Sequence, residues 1–332
     1  MQSKMSVPEF IRGNIAPVFT AFKENGALDD DGQRNLLDFL LDTGHISAHF
    51  VRSGLGQMYT FSYEDVQQIA QTACRHMAGK APVLMGCSGV WDRNRDSGKR
   101  PDPRTYLEQG IELSKFAEDM GASGVVHTIP EAILPTEGQT VEAVFVRYFE
   151  SVCAAVSIPV LIYQPPGTDP AYKVTPRLLA RLADMPGLAA IKVSNGDAYY
   201  LFRLIRATRE KDFAFIVGVE TAYYAALYAG CRAVIGQGAA INPQVMTAVQ
   251  ERFEKGDREG ALAAQDSVNL LVEQCSSPAA FLKRYATEKG HPVGSYARKM
   301  TDNPYIANPD PITDDAYITF KRILEIELAK YA

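Results

Sequence analysis

Apolar residues along this chain gather in short runs, and the polar and apolar positions between the runs recur with helical period. Eight runs stand out: Asn14–Phe19, Ala48–Val51, Pro82–Gly86, Gly124–Thr128, Val160–Tyr163, Ala189–Val193, Phe213–Val217 and Ala233–Gly236. Each is short, apolar and flanked by turn-forming or polar residues, which predicts a strand buried on both faces. The intervening segments place apolar residues three and four apart. Leu36, Leu37, Leu40 and Leu41 make one stripe within Asp31–Leu41, and Leu107, Ile111, Leu113 and Phe116 make another within Tyr106–Met120. Val141–Val156 and Pro176–Ala183 follow the same pattern. Strands alternating with helices imply a parallel sheet, and eight such units predict a closed (β/α)8 TIM barrel.

After the eighth run Pro243 opens a helical region. Gln244–Phe253, Ala261–Cys275, Pro278–Lys289 and Asp314–Lys330 read as helices, and Asn303–Pro311, rich in Asn and Pro, reads as a loop. A closed barrel needs only one helix here. Residues 1–242 are therefore expected to supply the barrel, and 243–332 its eighth helix and a C-terminal helical appendage that covers a face or mediates assembly. No GxGxxG follows the first strand, which weakens the dinucleotide-binding alternative.

Composition narrows the function classes. A net charge of −5 favours neither nucleic acid nor an anionic membrane surface as a partner. Cys74, Cys87, Cys153, Cys231 and Cys275 are scattered, odd in number and without CxxC spacing. They read as reduced core residues of a cytoplasmic protein, not as a zinc site. The N-terminus lacks an apolar signal core, and no run is long enough to span a bilayer. His45 and His49 straddle a loop–strand junction and read as structural, as does His127 within its strand.

The candidate chemistry starts at Lys192, inside the apolar run that ends Ala190-Ile191-Lys192-Val193. An ammonium in such a place is costly, and burial lowers its pKa towards a neutral, nucleophilic amine. The preceding strand ends at Tyr163. In a barrel of this kind both groups lie at the C-terminal mouth. A neutral lysine amine there attacks a ketone to form an iminium. The iminium is an electron sink, so a neighbouring carbon–carbon or carbon–oxygen bond can break or form, with Tyr163 moving protons. The turn Gly54-Leu55-Gly56, after the second strand, offers backbone N–H groups to a carboxylate. Together these predict a 2-oxo acid substrate. Gly89–Arg104, between the third strand and its helix, is long and contains Trp91, the only tryptophan. It reads either as a solvated surface insertion or as a lid whose Arg93 or Arg95 meets an acidic substrate tail.

At this point the chain resembles the dihydrodipicolinate synthase / N-acetylneuraminate lyase superfamily of class I, Schiff-base aldolases. Ile162-Tyr163-Gln164-Pro165-Pro166 is similar to its Tyr-Asn-x-Pro motif, and Ala190-Ile191-Lys192-Val193-Ser194-Asn195-Gly196 to its Gly-Ile-Lys-x-x-x-Gly motif. Gly13–Phe22, Leu113–Ala122 and Gly290–Gly294 extend the resemblance over nearly the whole chain. It implies Lys192 as the Schiff-base lysine, Tyr163 as the catalytic phenol, and Gly218 and Ile235 in the substrate channel. It also implies a homotetramer or homodimer, with neither metal nor organic cofactor. Ser194 and Glu220 would meet a polyhydroxylated tail.

The departures bear on the substrate. The family's Gly-Thr/Ser-Thr-Gly-Glu loop reads Ser53-Gly54-Leu55-Gly56-Gln57, so both hydroxyl positions are lost and only Ser53, one place earlier, offers a nearby hydroxyl. Glu131-Ala132 replaces the synthase's tyrosine pair, and Thr168 stands near its carboxylate-binding arginine. These losses argue against true dihydrodipicolinate synthase activity. What is expected is a cofactor-independent lyase acting on a 2-oxo acid. The alternatives are a dehydratase or deaminase of a 2-oxo-3-deoxy sugar acid using the same Lys–Tyr pair, or a non-catalytic 2-oxo acid binding protein.

Overall fold

The computed structural model describes residues 6–300 and 309–332. Eight parallel strands close into a barrel in sequence order: β1 (Gly13–Pro17), β2 (Ala48–Val51), β3 (Val83–Gly86), β4 (Gly124–Thr128), β5 (Val160–Gln164), β6 (Leu188–Val193), β7 (Ala214–Val217) and β8 (Ala233–Val234). The ring is completed by β8 pairing with β1. The predicted TIM barrel is the fold, and all eight runs became strands.

Four runs became shorter strands than their composition suggests, β3 and β7 by their first residue and β1 and β8 at their C-terminal ends. β1 ends at Pro17, and Phe19 turns out into the helix layer. β8 ends at Val234. Ile235 still donates to the Val217 carbonyl at 2.9 Å, and then Gly236 and Gln237 lead directly into a short helix.

The outer layer consists of α1 (Asp30–Asp42), α2 (Tyr63–Met77), α3 (Pro103–Asp119), α4 (Val141–Cys153), α5 (Pro176–Leu182), α6 (Ala198–Thr208) and α7 (Tyr223–Ala229). The local sequence starts most of them. Asp29, Asp102, Thr140, Thr175 and Asp197 each cap the first turn of α1, α3, α4, α5 and α6 by accepting a backbone N–H. Ser62 and Asp65 form a reciprocal capping box on α2. Pro103 occupies the first turn of α3, so that helix begins three residues before the expected Tyr106.

The period-2 alternation of the strands divides the apolar residues into two cores. One face of each strand joins the helices in a continuous outer core. The other fills the barrel with Ile15, Ala48, Phe50, Leu84, Val126, Leu161, Ala190, Ala214, Ile216 and Ala233, and Val7 and Ile11 pack into this cluster from the N-terminal segment.

Beyond β8 come α8 (Gly238–Ile241), α9 (Pro243–Glu254), α10 (Arg258–Gln274), α11 (Pro278–Glu288) and α12 (Asp314–Ala329). α9 lies against β1 and α7 and takes the place of the eighth barrel helix. α10 and α12 pack on α9, and α11 reaches α1. Phe281, Tyr317, Phe320 and Leu324 belong to the same core cluster as the barrel's outer faces, so the C-terminal helices are fused to the barrel wall. The expected Asn303–Pro311 loop lies, up to residue 308, outside the described residues.

Candidate active site

Ala190 and Lys192 share the inner face of β6, while Ile191 and Val193 face the helices. Lys192 pairs in register with Tyr163 of β5, and Tyr163 with Thr128 of β4. The two candidate catalytic side chains are therefore neighbours at the C-terminal end of the barrel. Both are buried, at 5% and 3% exposure.

The Lys192 Nζ sits 4.2 Å from the centroid of the Tyr163 ring and 5.5 Å from that of Phe50. The two rings meet edge to face at 6.0 Å. The amine thus faces the ring of Tyr163, and no hydrogen bond joins it to the phenol oxygen among the described residues. Burial pulls the Lys192 pKa from 10.5 to about 7; the negative charge of Glu220 opposes the shift without cancelling it. Burial pushes the Tyr163 phenol upward, opposed by a hydrogen bond with Ser194 and by the charge of Arg93. A half-deprotonated amine beside a protonated phenol suits attack on a carbonyl followed by proton transfer.

The remaining predicted residues take different places. Gly54 lies directly against the phenol: a Cβ there would come within 2.8 Å of the Tyr163 hydroxyl oxygen. The absence of a side chain at Gly54 thus leaves room for the tyrosine. The backbone N–H groups of Gly54 and Leu55 enter no hydrogen bond among the described residues, whereas Gly56 N–H donates to the carbonyl and hydroxyl of Ser53. The free donors of the expected carboxylate cradle are thus Gly54 and Leu55. Ser53 is fully buried, and its hydroxyl is committed to the Val18 carbonyl and Gly56 N–H. Its task in this geometry is to hold the turn, not to present a hydroxyl to a ligand. The Leu55 side chain is partly exposed. A cleft of about 350 Å³, lined by Phe19, Gly54, Leu55, Gln57, Tyr59 and Ser277, opens outside this turn.

Ser194 lies within hydrogen-bonding reach of both Tyr163 and the Gly218 carbonyl, the latter at 3.4 Å. A Cβ at Gly218 would strike the Ser194 oxygen at 2.4 Å, so Gly218 sets the position of Ser194. Ile235 lies in the barrel core. Glu220 is buried at the end of β7, accepts the Gly238 N–H at 2.9 Å, and supplies the negative charge felt by Lys192.

The Gly89–Arg104 segment divides in two. Trp91, Arg93 and Asn94 are buried, whereas Asp96, Gly98, Lys99 and Asp102–Arg104 are exposed to solvent. Trp91 is packed in, with its indole N–H donating to the Asn94 carbonyl. Arg93 is 4% exposed and is held by Glu131, at 3.2 Å, and by the Pro166 carbonyl. Arg95 also binds Glu131, at 2.8 Å, and Arg100 donates to the Glu131 carbonyl. Glu131 is the anchor that ties this loop across the mouth. Thr168 caps its own turn through the Pro165 carbonyl.

Three groups escaped the sequence reading: Tyr59, Glu131 as an anchor, and Gln164, whose side chain accepts from Val174 N–H and the Tyr200 hydroxyl. The signal for Glu131 was present, as an acidic residue after β4 opposite a basic loop after β3. Among the described residues the non-glycine positions with positive φ are Arg52, Gln57 and Arg93, all in the loops after β2 and β3. Strained backbone thus concentrates at this end of the barrel. His127 is fixed between the Ser114 hydroxyl and the Tyr148 phenol, and burial lowers its pKa to about 3, so it is a neutral structural residue. His49 is held neutral in the same way, lowered to about 4.

Comparison with known proteins identifies the family. Residues 10–302 match the dihydrodipicolinate synthetase family. The chain is 29% identical over 247 residues to a 4-hydroxy-tetrahydrodipicolinate synthase of Dechloromonas aromatica strain RCB, covering 74% of this chain and 77% of the relative. It is 27% identical over 251 residues to the enzyme of the same name from Methanospirillum hungatei JF-1, covering 75% and 78%. Two solved structures share the fold at a TM-score of 0.75, each covering 97% of this chain and 99% of its own. They are YagE of Escherichia coli K12 in complex with pyruvate, at 24% identity, and N-acetylneuraminate lyase of Mycoplasma synoviae, at 19%. The chain therefore belongs to the dihydrodipicolinate synthetase family.

Proposed function

We propose that this protein is a cofactor-independent lyase that condenses Lys192 with a 2-oxo acid and makes or breaks a bond next to the resulting iminium, Tyr163 moving the protons. The observation that carries this reading is the Lys192 amine, buried at the barrel mouth, lowered to about 7 and stacked on the phenol ring. In this reading the carboxylate of the 2-oxo acid rests on the Gly54 and Leu55 N–H groups, and water is returned as the carbinolamine collapses. Tyr163, with Ser194 behind it, protonates the departing oxygen and takes back the proton in the reverse direction. Glu220 accepts hydrogen bonds from hydroxyls on the substrate tail.

The relay hydroxyls of the synthase are absent here: Gly54 and Leu55 stand in their places, and Ser53 is spent on backbone. This favours an aldolase or dehydratase over the synthase reaction. The test is borohydride trapping with pyruvate, followed by mass analysis of the labelled peptide. One adduct at Lys192 is expected; a label elsewhere, or none with any 2-oxo acid, would refute the reading. Product analysis on a panel of 2-oxo and 2-oxo-3-deoxy sugar acids then separates aldehyde release from water or ammonia release.

A further inference from the structure

Two buried polar groups at the mouth have no hydrogen-bond partner among the described residues: the Tyr59 hydroxyl and the Nη2 of Arg93. They are neighbours, the Arg93 guanidinium carbon lying 5.6 Å from the centroid of the Tyr59 ring. Tyr59 packs onto the inner barrel cluster that contains Phe50 and Tyr163, the two rings that lie beside the Lys192 amine. The Arg93 charge is felt at both phenols, Tyr59 and Tyr163. Nη1 of Arg93 is used on the Pro166 carbonyl and Nε on Glu131; Nη2 stands 3.2 Å from the same carboxylate but outside hydrogen-bonding geometry. Glu131 is shared, since Arg95 binds its other oxygen and the Asp169 N–H donates to it as well. One buried carboxylate thus faces two guanidiniums, leaving positive charge in excess next to an orphaned phenol. Buried donors are rarely left unmatched, and where two neighbouring side chains at the barrel mouth each keep one, a ligand acceptor is the natural partner.

We infer that Arg93 and Tyr59 form a site for a second carboxylate, and that the preferred substrates are 2-oxo diacids. This rests on the Schiff-base reading for its chemistry but not for its binding. The 2-oxo acid end is held at Lys192 and the Gly54–Leu55 turn, and the distal carboxylate accepts from Arg93 Nη2 and the Tyr59 hydroxyl. The loop carrying Arg93 is anchored by Glu131 in the same chain, so the site needs no second subunit.

The test uses a matched pair, 2-oxoglutarate and 2-oxopentanoate, which have the same carbon count and differ in a terminal carboxylate. The concentration giving half-maximal borohydride trapping at Lys192 is measured for each. The wild type should favour the diacid by about tenfold or more, as expected of a charge-assisted contact. Tyr59→Phe, which deletes a hydroxyl without a hydrogen-bond partner among the described residues, should cut that preference several-fold. Arg93→Met should abolish it. Equal trapping of the two ketones by the wild type, or a preference untouched in Tyr59→Phe, would overturn the inference. If neither ketone is trapped, the Schiff-base reading fails, and calorimetric titration with glutarate, which has no carbonyl to condense, decides this one separately. Binding that weakens in Tyr59→Phe supports the site; no binding, or equal binding, overturns it.

Discussion

Replacing Lys192 by methionine should stabilise the fold in acid, and by a margin that shrinks as the pH rises. Methionine keeps the length and unbranched shape of lysine and discards the charge, so packing against Phe50 and Tyr163 is largely retained. The amine has a pKa of 10.5 in an unfolded chain and about 7 in the native protein. Below about pH 7 it is protonated in both states, and the native state carries the full cost of a buried ammonium. Between about 7 and 10.5 the unfolded chain holds a proton the native state has released. Wild-type stability therefore rises with pH across that window. At about 1.4 kcal/mol per unit, the displacement corresponds to about 5 kcal/mol at pH 6 and about 2 kcal/mol at pH 9. The assay is urea unfolding of both proteins at a series of pH values, followed by far-UV circular dichroism and by the fluorescence of Trp91. Comparing the two proteins at each pH cancels the titration of every group not coupled to Lys192, which leaves Glu220 as its charged neighbour. The stability gap should narrow steadily from pH 6 to pH 9. A gap that stays flat over that range would refute the claim that Lys192 is held near neutrality, and with it the physical basis for its nucleophilicity.

Other expectations follow from the same geometry. Glu220 raises the Lys192 pKa, so Glu220→Gln should move the acidic limb of the kcat/KM profile, which rises through about pH 7 as the amine loses its proton, to lower pH; a limb that stays put would remove Glu220 from the electrostatics of the amine. Tyr163→Phe should lower turnover by about 10²–10⁴-fold with the fold intact, as for loss of a general acid–base group, and unchanged turnover would take the phenol out of the mechanism. Gly54→Ala places a methyl 2.8 Å from the phenol oxygen and should cost about 10–10²-fold through misplacement of that group. In a Tyr163→Phe background the same substitution should cost little more, and full additivity of the two losses would show that Gly54 acts elsewhere.

The barrel was legible in the sequence because its determinants are local and periodic. Each strand had to be an apolar run, since both faces are buried, and each helix had to carry a stripe three and four residues apart. Lys192 was conspicuous for the same reason: it is a charge inside a run with no other polar side chain. Its pairing with Tyr163 followed from the order of strands in a closed parallel barrel. The boundaries of β8 and α3 were less legible, because a two-residue strand and a proline-led first turn leave little periodicity to read.

What only the tertiary structure decided is which polar groups are spent and which remain. Ser53 and Gly54 are adjacent in the chain, yet one hydroxyl is consumed by backbone while the missing side chain of the other makes room for a phenol from β5. Arg93 and Glu131 are separated by 38 residues, and nothing local pairs them, but they meet in the interior and seat a long loop over the mouth. Tyr59 had no periodic or motif signal, and its importance comes entirely from where its hydroxyl ends up. Local patterning determines which segments become strands and helices. The satisfaction or abandonment of each buried donor depends on groups brought together by chain closure, over distances that no local window spans.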